Sequence, residues 1–255
     1  MAKSSIIKQL ITEEISLTQV LDRLYVIAYE LEDYYVLEWI KNEKNGYFGD
    51  KVVVPSYRHT KAYPIGNYRI GNLLYERKLL PTIGVSDKQK KMFDDWEEKE
   101  SVTTLLEIKK NMSEGKIAGI PVPPEAFYMF EEGTNINVVS AYIVVSDSNI
   151  ENIITAIKDR ILNMLLLLEK NFGSLDNLDI NTSNYNKEEL SCLKEQAKTI
   201  IVENQTIKNK VIIKHSNIGE NNKIKKELNV NTDVTVNSEK KKGFFSKLLS
   251  IFKKK

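Results

Sequence analysis

The sequence predicts an α+β body, and three observations carry that expectation. Apolar residues recur at three- and four-residue spacing as far as Asn45-Gly46, the period of helices buried on one side. Between Tyr47 and Pro81 the pattern changes to single β-branched and aromatic residues interleaved with Pro55, Pro64, Gly49, Gly66 and Gly71, the punctuation of strands and turns. A long apolar stripe at helical spacing returns at residues 148–171. The expected order is an N-terminal helical hairpin, a small β/turn-rich middle and a long closing helix, then a β-rich C-terminal segment and an amphipathic tail helix. In residue numbers, an α+β domain occupies 1–171 and a linker 172–186. A short helix with a β-rich, oligomerising segment occupies 187–238, and a basic amphipathic tail 239–255.

Each element has a local reason. Ile6, Ile7, Leu10 and Ile11 make a short first stripe. Ser16 with Gln19 three positions on matches a capping box, and Leu17, Val20, Leu21, Leu24, Ile27, Ala28 and Leu31 give a full amphipathic face. Asp33 can cap a third helix carrying Val36, Leu37, Trp39 and Ile40, which Asn45-Gly46 ends by supplying a left-handed residue. In the middle block, proline is expected to keep strands short or at sheet edges. Residues 86–113, opened by Ser86 or Asp87 and crowded with alternating charge, read as helical with Met92, Phe93, Trp96, Val102, Leu105, Leu106 and Ile108 inward. Ile120-Pro-Val-Pro-Pro reads as an extended linker, and residues 125–132 as a short helix stopped by Gly133.

Residues 135–146, NINVVSAYIVVS, form the best strand pattern in the chain. The stripe that follows, Ile150, Ile153, Ile154, Ile157, Ile161, Met164, Leu165 and Leu168, is interrupted by Lys158, Asp159 and Arg160 and reads as a core helix, not a membrane span. The Asn- and Ser-rich stretch 172–186 reads as the linker that ends the body. A helix over 187–198 places Cys192 on a stripe with Leu190 and Leu193, as small core filling. Beyond it come the β-like pieces TIIVE, KVIIK and NVNTDVTV, which need a partner to bury surface: one another, the body, or other copies of the chain.

Composition excludes several functions. One cysteine among 255 residues excludes an intrachain disulfide framework, and with only His59 and His215 beside it the chain cannot build a Cys/His zinc site alone. No apolar run approaches the roughly 20 residues of a spanning helix, so a soluble protein of a reducing, cytoplasmic compartment is expected, with surface contact at the inner face of the membrane. There is no GxxxxGK[ST], GxSxG or HExxH, and the stretch from Gly66 to Gly71 lacks the context of a dinucleotide loop. No cofactor and no metal are expected. His59, in Tyr57-Arg58-His59, reads as a surface histidine, and the paired acids such as Glu97-Glu98 read as solvated faces.

Formal charge is +2 overall, yet residues 206–255 hold 13 Lys against 4 acids, a net +9, which leaves −7 on residues 1–205. An acidic body of this sign is not expected to attract nucleic acid, although Tyr57-Arg58 and Tyr68-Arg69 have the residue types for stacking and phosphate contact. The chain ends in an apolar set, Phe244, Phe245, Leu248, Leu249, Ile251 and Phe252, that falls on one helical face. Lys247 lies on the other face, and Lys240, Lys241, Lys242 and Lys253, Lys254, Lys255 bracket the whole. Such a segment suits an anionic membrane surface, where each lysine contributes about 1 kcal/mol. Docking on the acidic body or on a partner protein, and a role in solubility alone, are the alternatives.

The N-terminal part resembles the AbiTii domain of bacterial abortive-infection proteins over roughly residues 4 to 170. The resemblance rests on Leu21-Asp-Arg-Leu-Tyr-Val-Ile-Ala-Tyr-Glu-Leu31, Glu38-Trp-Ile-Lys-Asn-Glu-Lys-Asn-Gly-Tyr47, Pro55-Ser-Tyr-Arg58 and Ile120-Pro-Val-Pro123, in that order. Trp39, Glu43, Asn45, Gly46, Tyr47, Pro55, Tyr57 and Arg58 carry most of it; Lys44 stands where the family pattern has an apolar residue. The 148–171 helix resembles the domain's closing helix. The resemblance implies phage defence and supplies no catalytic residues. Glu43 and Arg58, if brought together, would form a salt bridge tying helix to sheet. The leading reading is therefore a defence protein, leaning non-enzymatic, that senses or effects through assembly and membrane contact of its tail. Expected partners are an anionic membrane, further copies of the chain and a phage-derived trigger. Two alternatives stay open: a nuclease or nucleotide-acting toxin using Glu43, Tyr57, Arg58 and His59, and a binding module for a phage component or signalling ligand.

Overall fold

The computed structural model describes residues 3–202. Ser5–Ile11 (α1) turns Ile6, Ile7 and Leu10 inward. Leu17–Glu30 (α2) starts in the expected capping box: the Gln19 N–H donates to Ser16 Oγ at 3.2 Å, and the Ser16 N–H to Gln19 Oε1 at 2.9 Å. Tyr34–Asn45 (α3) is capped by Asp33, which accepts from the Tyr35 and Val36 N–H groups. Its buried stripe runs Val36, Leu37, Trp39, Ile40 and on to Glu43. Gly46 ends α3 at φ +87°, where a Cβ would also stand 2.8 Å from the Lys99 carbonyl oxygen.

A 3-10 turn, Ser56–Arg58, leads into His59–Thr60 (β1). Ala62–Ile70 (β2) and Leu73–Leu79 (β3) follow, then Asp87–Asp94 (α4), Trp96–Glu97 (β4) and Val102–Ser113 (α5). Gly119–Pro121 (β5), Tyr128–Glu131 (α6) and Asn137–Val145 (β6) lead to Asp147–Phe172 (α7) and Lys187–Val202 (α8). One antiparallel sheet has the order β3-β2-β6-β5, and β1 pairs with β4 in a second, two-residue ladder. The buried residues of helices and sheet form one continuous apolar core.

Several expectations are corrected. Pro64 lies inside β2, a central strand. Its carbonyl accepts from the Leu80 N–H at 2.9 Å, just past the end of β3. A residue's N–H and C=O share a side in a strand, so the donor that proline lacks faces Leu80, one residue beyond β3, where a single bond closes the ladder, and pairing with β6 loses nothing. Residues 86–113 are two helices, not one stretch. Ser86 caps α4, Ser101 caps α5, and Trp96, expected on a helix, is buried in β4 because the chain there pairs with β1. Ile120-Pro121, expected in a linker, belongs to edge strand β5, where a missing donor is tolerated.

The stretch 172–186 packs on the body through buried Leu175 and Ile180. The Ser5 N–H donates to Asp176 Oδ1 at 2.6 Å, and the Leu175 N–H to Ser4 Oγ at 3.0 Å. α8 continues to Val202, so the start of TIIVE is helical; Leu193, Ala197 and Ile201 are buried at four-residue spacing. That spacing leaves Cys192 exposed, not filling the core. The β-rich pieces of 203–238 and the tail 239–255 lie outside the described residues. Among the described residues no helix is long and apolar enough to cross a membrane.

Candidate functional site

The α3 stripe and the 3-10 turn bring five of the eight motif residues into one buried cluster. Glu43, four positions after Trp39 on the inner face of α3, is fully enclosed, as is Arg58. Arg58 Nη2 donates to Glu43 Oε2 at 2.6 Å, and Nε to Oε1 at 3.3 Å. The expected ion pair therefore forms, and it is bidentate. Tyr47 donates its hydroxyl to Glu43 Oε1 at 2.6 Å, and the Tyr57 hydroxyl donates to the same oxygen. Trp39 Nε1–H donates to the Tyr57 oxygen at 2.9 Å. Of the other three motif residues, two act on the backbone. Gly46 makes the left-handed helix end, the half-buried Pro55 gives its carbonyl to the Arg58 N–H at 2.9 Å, and Asn45 is exposed.

Arg58 also reaches across to a third segment. Its Nη1 donates to the carbonyls of Glu98 at 3.2 Å and Glu100 at 2.7 Å, while its own carbonyl accepts from the Glu98 N–H at 2.9 Å. With the Tyr47 N–H bonded to the Lys99 carbonyl at 2.7 Å, residues 98–100 are held from behind by the motif. Arg160 of α7 closes the cluster from the other side. Its guanidinium lies 3.9 Å from the Tyr57 ring centroid, and its Nε donates to the Ile201 carbonyl at 3.0 Å, near the end of α8.

Burial and the Glu43 charge hold the cluster's groups in fixed protonation states. Burial, then the Glu43 carboxylate, pushes the Tyr47 and Tyr57 hydroxyls up, so both stay protonated donors. Burial opposes the Arg58 charge, but Glu43 outweighs it and raises the pKa, so Arg58 stays cationic. Arg160 is lowered by burial, partly offset by Tyr57 and Glu43. A cation and a carboxylate that are both fully enclosed and hydrogen-bonded to the protein present nothing for a substrate to meet. His59 stands apart at the surface, its Nδ1 2.8 Å from Asp95 Oδ1. Glu43, Tyr57 and Arg58 are drawn together away from solvent, and His59 does not join them.

The face that the cluster supports is open. A groove of about 620 Å³ runs between the loop after α3, residues 96–100, α5, β5 and β6. Ile108, Ile120, Ile143, Val145 and Ile150 line its apolar part and Asp50, Glu97 and Glu100 give it a negative rim; Glu98, expected on a solvated face, is buried. Lys99 is the lone cation in that lining, and it pairs with Glu97 at 3.2 Å. Burial raises the pKa of the Glu98 carboxyl, against the Glu100 N–H that donates to it at 3.2 Å. Among the described residues no group of three or more His, Cys, Asp or Glu could hold a metal ion.

Arg160 was legible in part, since it falls three residues after Ile157 on the buried α7 stripe, as Glu43 does on α3. The groove wall was not, because residues 96–100 reach their place by tertiary pairing. The remaining site residues expected from sequence, 240–255, lie outside the described residues. A model of the AbiTii family matches residues 4–191 of the chain, including every residue of the buried cluster. No curated protein matches, and no solved structure matches.

Proposed function

The chain belongs to the AbiTii family of abortive-infection proteins and serves in phage defence; from that premise we propose that it is a non-enzymatic sensor and effector acting through assembly and membrane-surface contact of its C-terminal residues. One observation carries the reading: 13 of the chain's lysines fall in residues 206–255, ending in an apolar set bracketed by lysine triplets. Such a set enters the acyl boundary while the lysines meet anionic headgroups. A single short segment binds weakly, so several copies brought together by assembly bind far more strongly without any new contact. Infection, in this reading, supplies a phage-derived trigger that clusters the tails at the inner face of the membrane. The buried pair of Glu43 and Arg58 fits the same division of labour, since it stiffens the body as a scaffold.

The test is vesicle flotation with the full chain and with a chain ended after Ser238. The full chain floats with vesicles containing anionic lipid and the shortened one stays behind. Equal behaviour of the two overturns the membrane reading.

A further inference from the structure

We propose that the groove between α5, β6 and residues 96–100 is the resting dock of the chain's own basic apolar tail, residues 240–255. The proposal deepens the membrane reading and rests on it, since the same tail residues meet either the groove or the lipid.

Complementarity is the first argument. Of the four acids in the lining, Glu97 is paired with Lys99 and Glu98 is buried, which leaves Asp50 and Glu100 as the carboxylates open to a cation. The tail offers seven lysines against no acid in residues 240–255. Below the rim the groove is apolar, with Ile108, Ile120 and Ile143 in its wall, and Phe48 at its edge stays 57% exposed. An apolar trough edged by carboxylates matches a segment in which Phe244, Phe245, Leu248 and Leu249 alternate with lysine and serine.

Size and reach are the second. A volume of about 620 Å³ is that of a small-molecule pocket and holds a few of the tail's six large apolar side chains, not all of them. A partial fit makes the hold weak and reversible, as a resting contact must be. Thirty-seven residues separate the end of α8 from Lys240. They span up to about 120 Å when extended, several times the radius of gyration of about 16 Å expected for a 200-residue body, so the groove is within reach.

The wall's support is the third. Arg58 fixes the carbonyls of Glu98 and Glu100, so the carboxylates of the rim stand on a backbone clamped by the family motif. The motif thus shapes a binding face without touching what binds. Release then follows by competition: anionic lipid or a clustered state that favours the free tail empties the groove, and salt weakens the contact by screening.

The experiment follows isoleucine methyl signals of the full-length chain by NMR, without lipid, in the wild type and in a full-length Leu248→Asp/Phe252→Asp variant. The methyls of Ile108, Ile120 and Ile143 shift between the two, while those of Ile6 and Ile27, in the helical core, do not. A second variant, Asp50→Lys/Glu100→Lys, gives the released pattern and raises the apparent affinity for anionic vesicles, about tenfold if the resting tail is free one-tenth of the time. Unchanged groove methyls in both variants overturn the dock. Shifts that grow with protein concentration place another copy's tail in the groove and overturn its intrachain form. Groove shifts together with failure to float on vesicles leave the dock standing and remove the membrane reading, so the two ideas fail separately.

Discussion

Arg58→Met tests whether the motif is a lock. The substitution keeps an apolar stem of similar length and removes the guanidinium. Glu43 Oε2 then loses the Arg58 bond, Oε1 keeps two tyrosine hydroxyls, and the Glu98 and Glu100 carbonyls lose their side-chain donor. Breaking one half of a fully buried pair costs about 3–5 kcal/mol, because the remaining charge stays in the interior without its counterion. At roughly 2–4 °C per kcal/mol for a body of this size, thermal unfolding followed by circular dichroism moves down by about 6–20 °C. The double variant Glu43→Met/Arg58→Met removes the charge with its partner and is less destabilised than the two single losses added together, with a coupling of about 1–3 kcal/mol. Hydrogen exchange adds a local readout: the Tyr47 and Glu98 N–H groups lose protection first, since both bond within the segment that Arg58 holds. A single-variant loss under about 1 kcal/mol, or strict additivity in the double, refutes the reasoning.

Two further outcomes follow from other parts of the body. Desolvation raises the Glu169 pKa, but Lys3 and the Ser4 N–H and hydroxyl outweigh it and hold the carboxyl at about 2. A folded pKa below the usual value of about 4.3 means that the contribution is complete above about pH 5 and is lost as pH falls towards 2. Urea midpoints of the wild type and Glu169→Gln therefore differ at pH 6 and converge by pH 2; a gap that does not change with pH refutes it. Gly66→Ala puts a Cβ 2.0 Å from the Ser140 carbonyl oxygen, in the middle of the β2–β6 pairing. A loss of about 3 kcal/mol or more is expected, against about 1–2 kcal/mol of strain for Gly71→Ala, where φ is +57° and nothing lies within 4 Å. Equal melting temperatures for the two variants contradict the close approach.

What the sequence disclosed and what it hid divide along the range of the forces involved. The starts of α2 and α3 were legible because Ser16, Gln19 and Asp33 satisfy helix donors within three residues of themselves. Pro64 was misleading because its fitness depends on where β3 stops, and the split of 86–113 was hidden because β4 exists only by virtue of β1. Glu43 and Arg160 fall between these cases. Each is a charged residue on an otherwise apolar helical stripe, so its burial follows from spacing alone, but the identity of its partner is a tertiary fact. A buried charge requires a partner, so the stripe already implied that Glu43 would be matched by a cation from elsewhere. The motif's Pro55-Ser-Tyr-Arg58 supplies that cation fifteen residues on. Internal satisfaction of its charged and hydroxyl groups accounts for the motif's burial. It also moves the search for specificity outward, to the carboxylate-edged wall at residues 97–100 that Arg58 holds in place and to whatever cationic, apolar surface that wall receives.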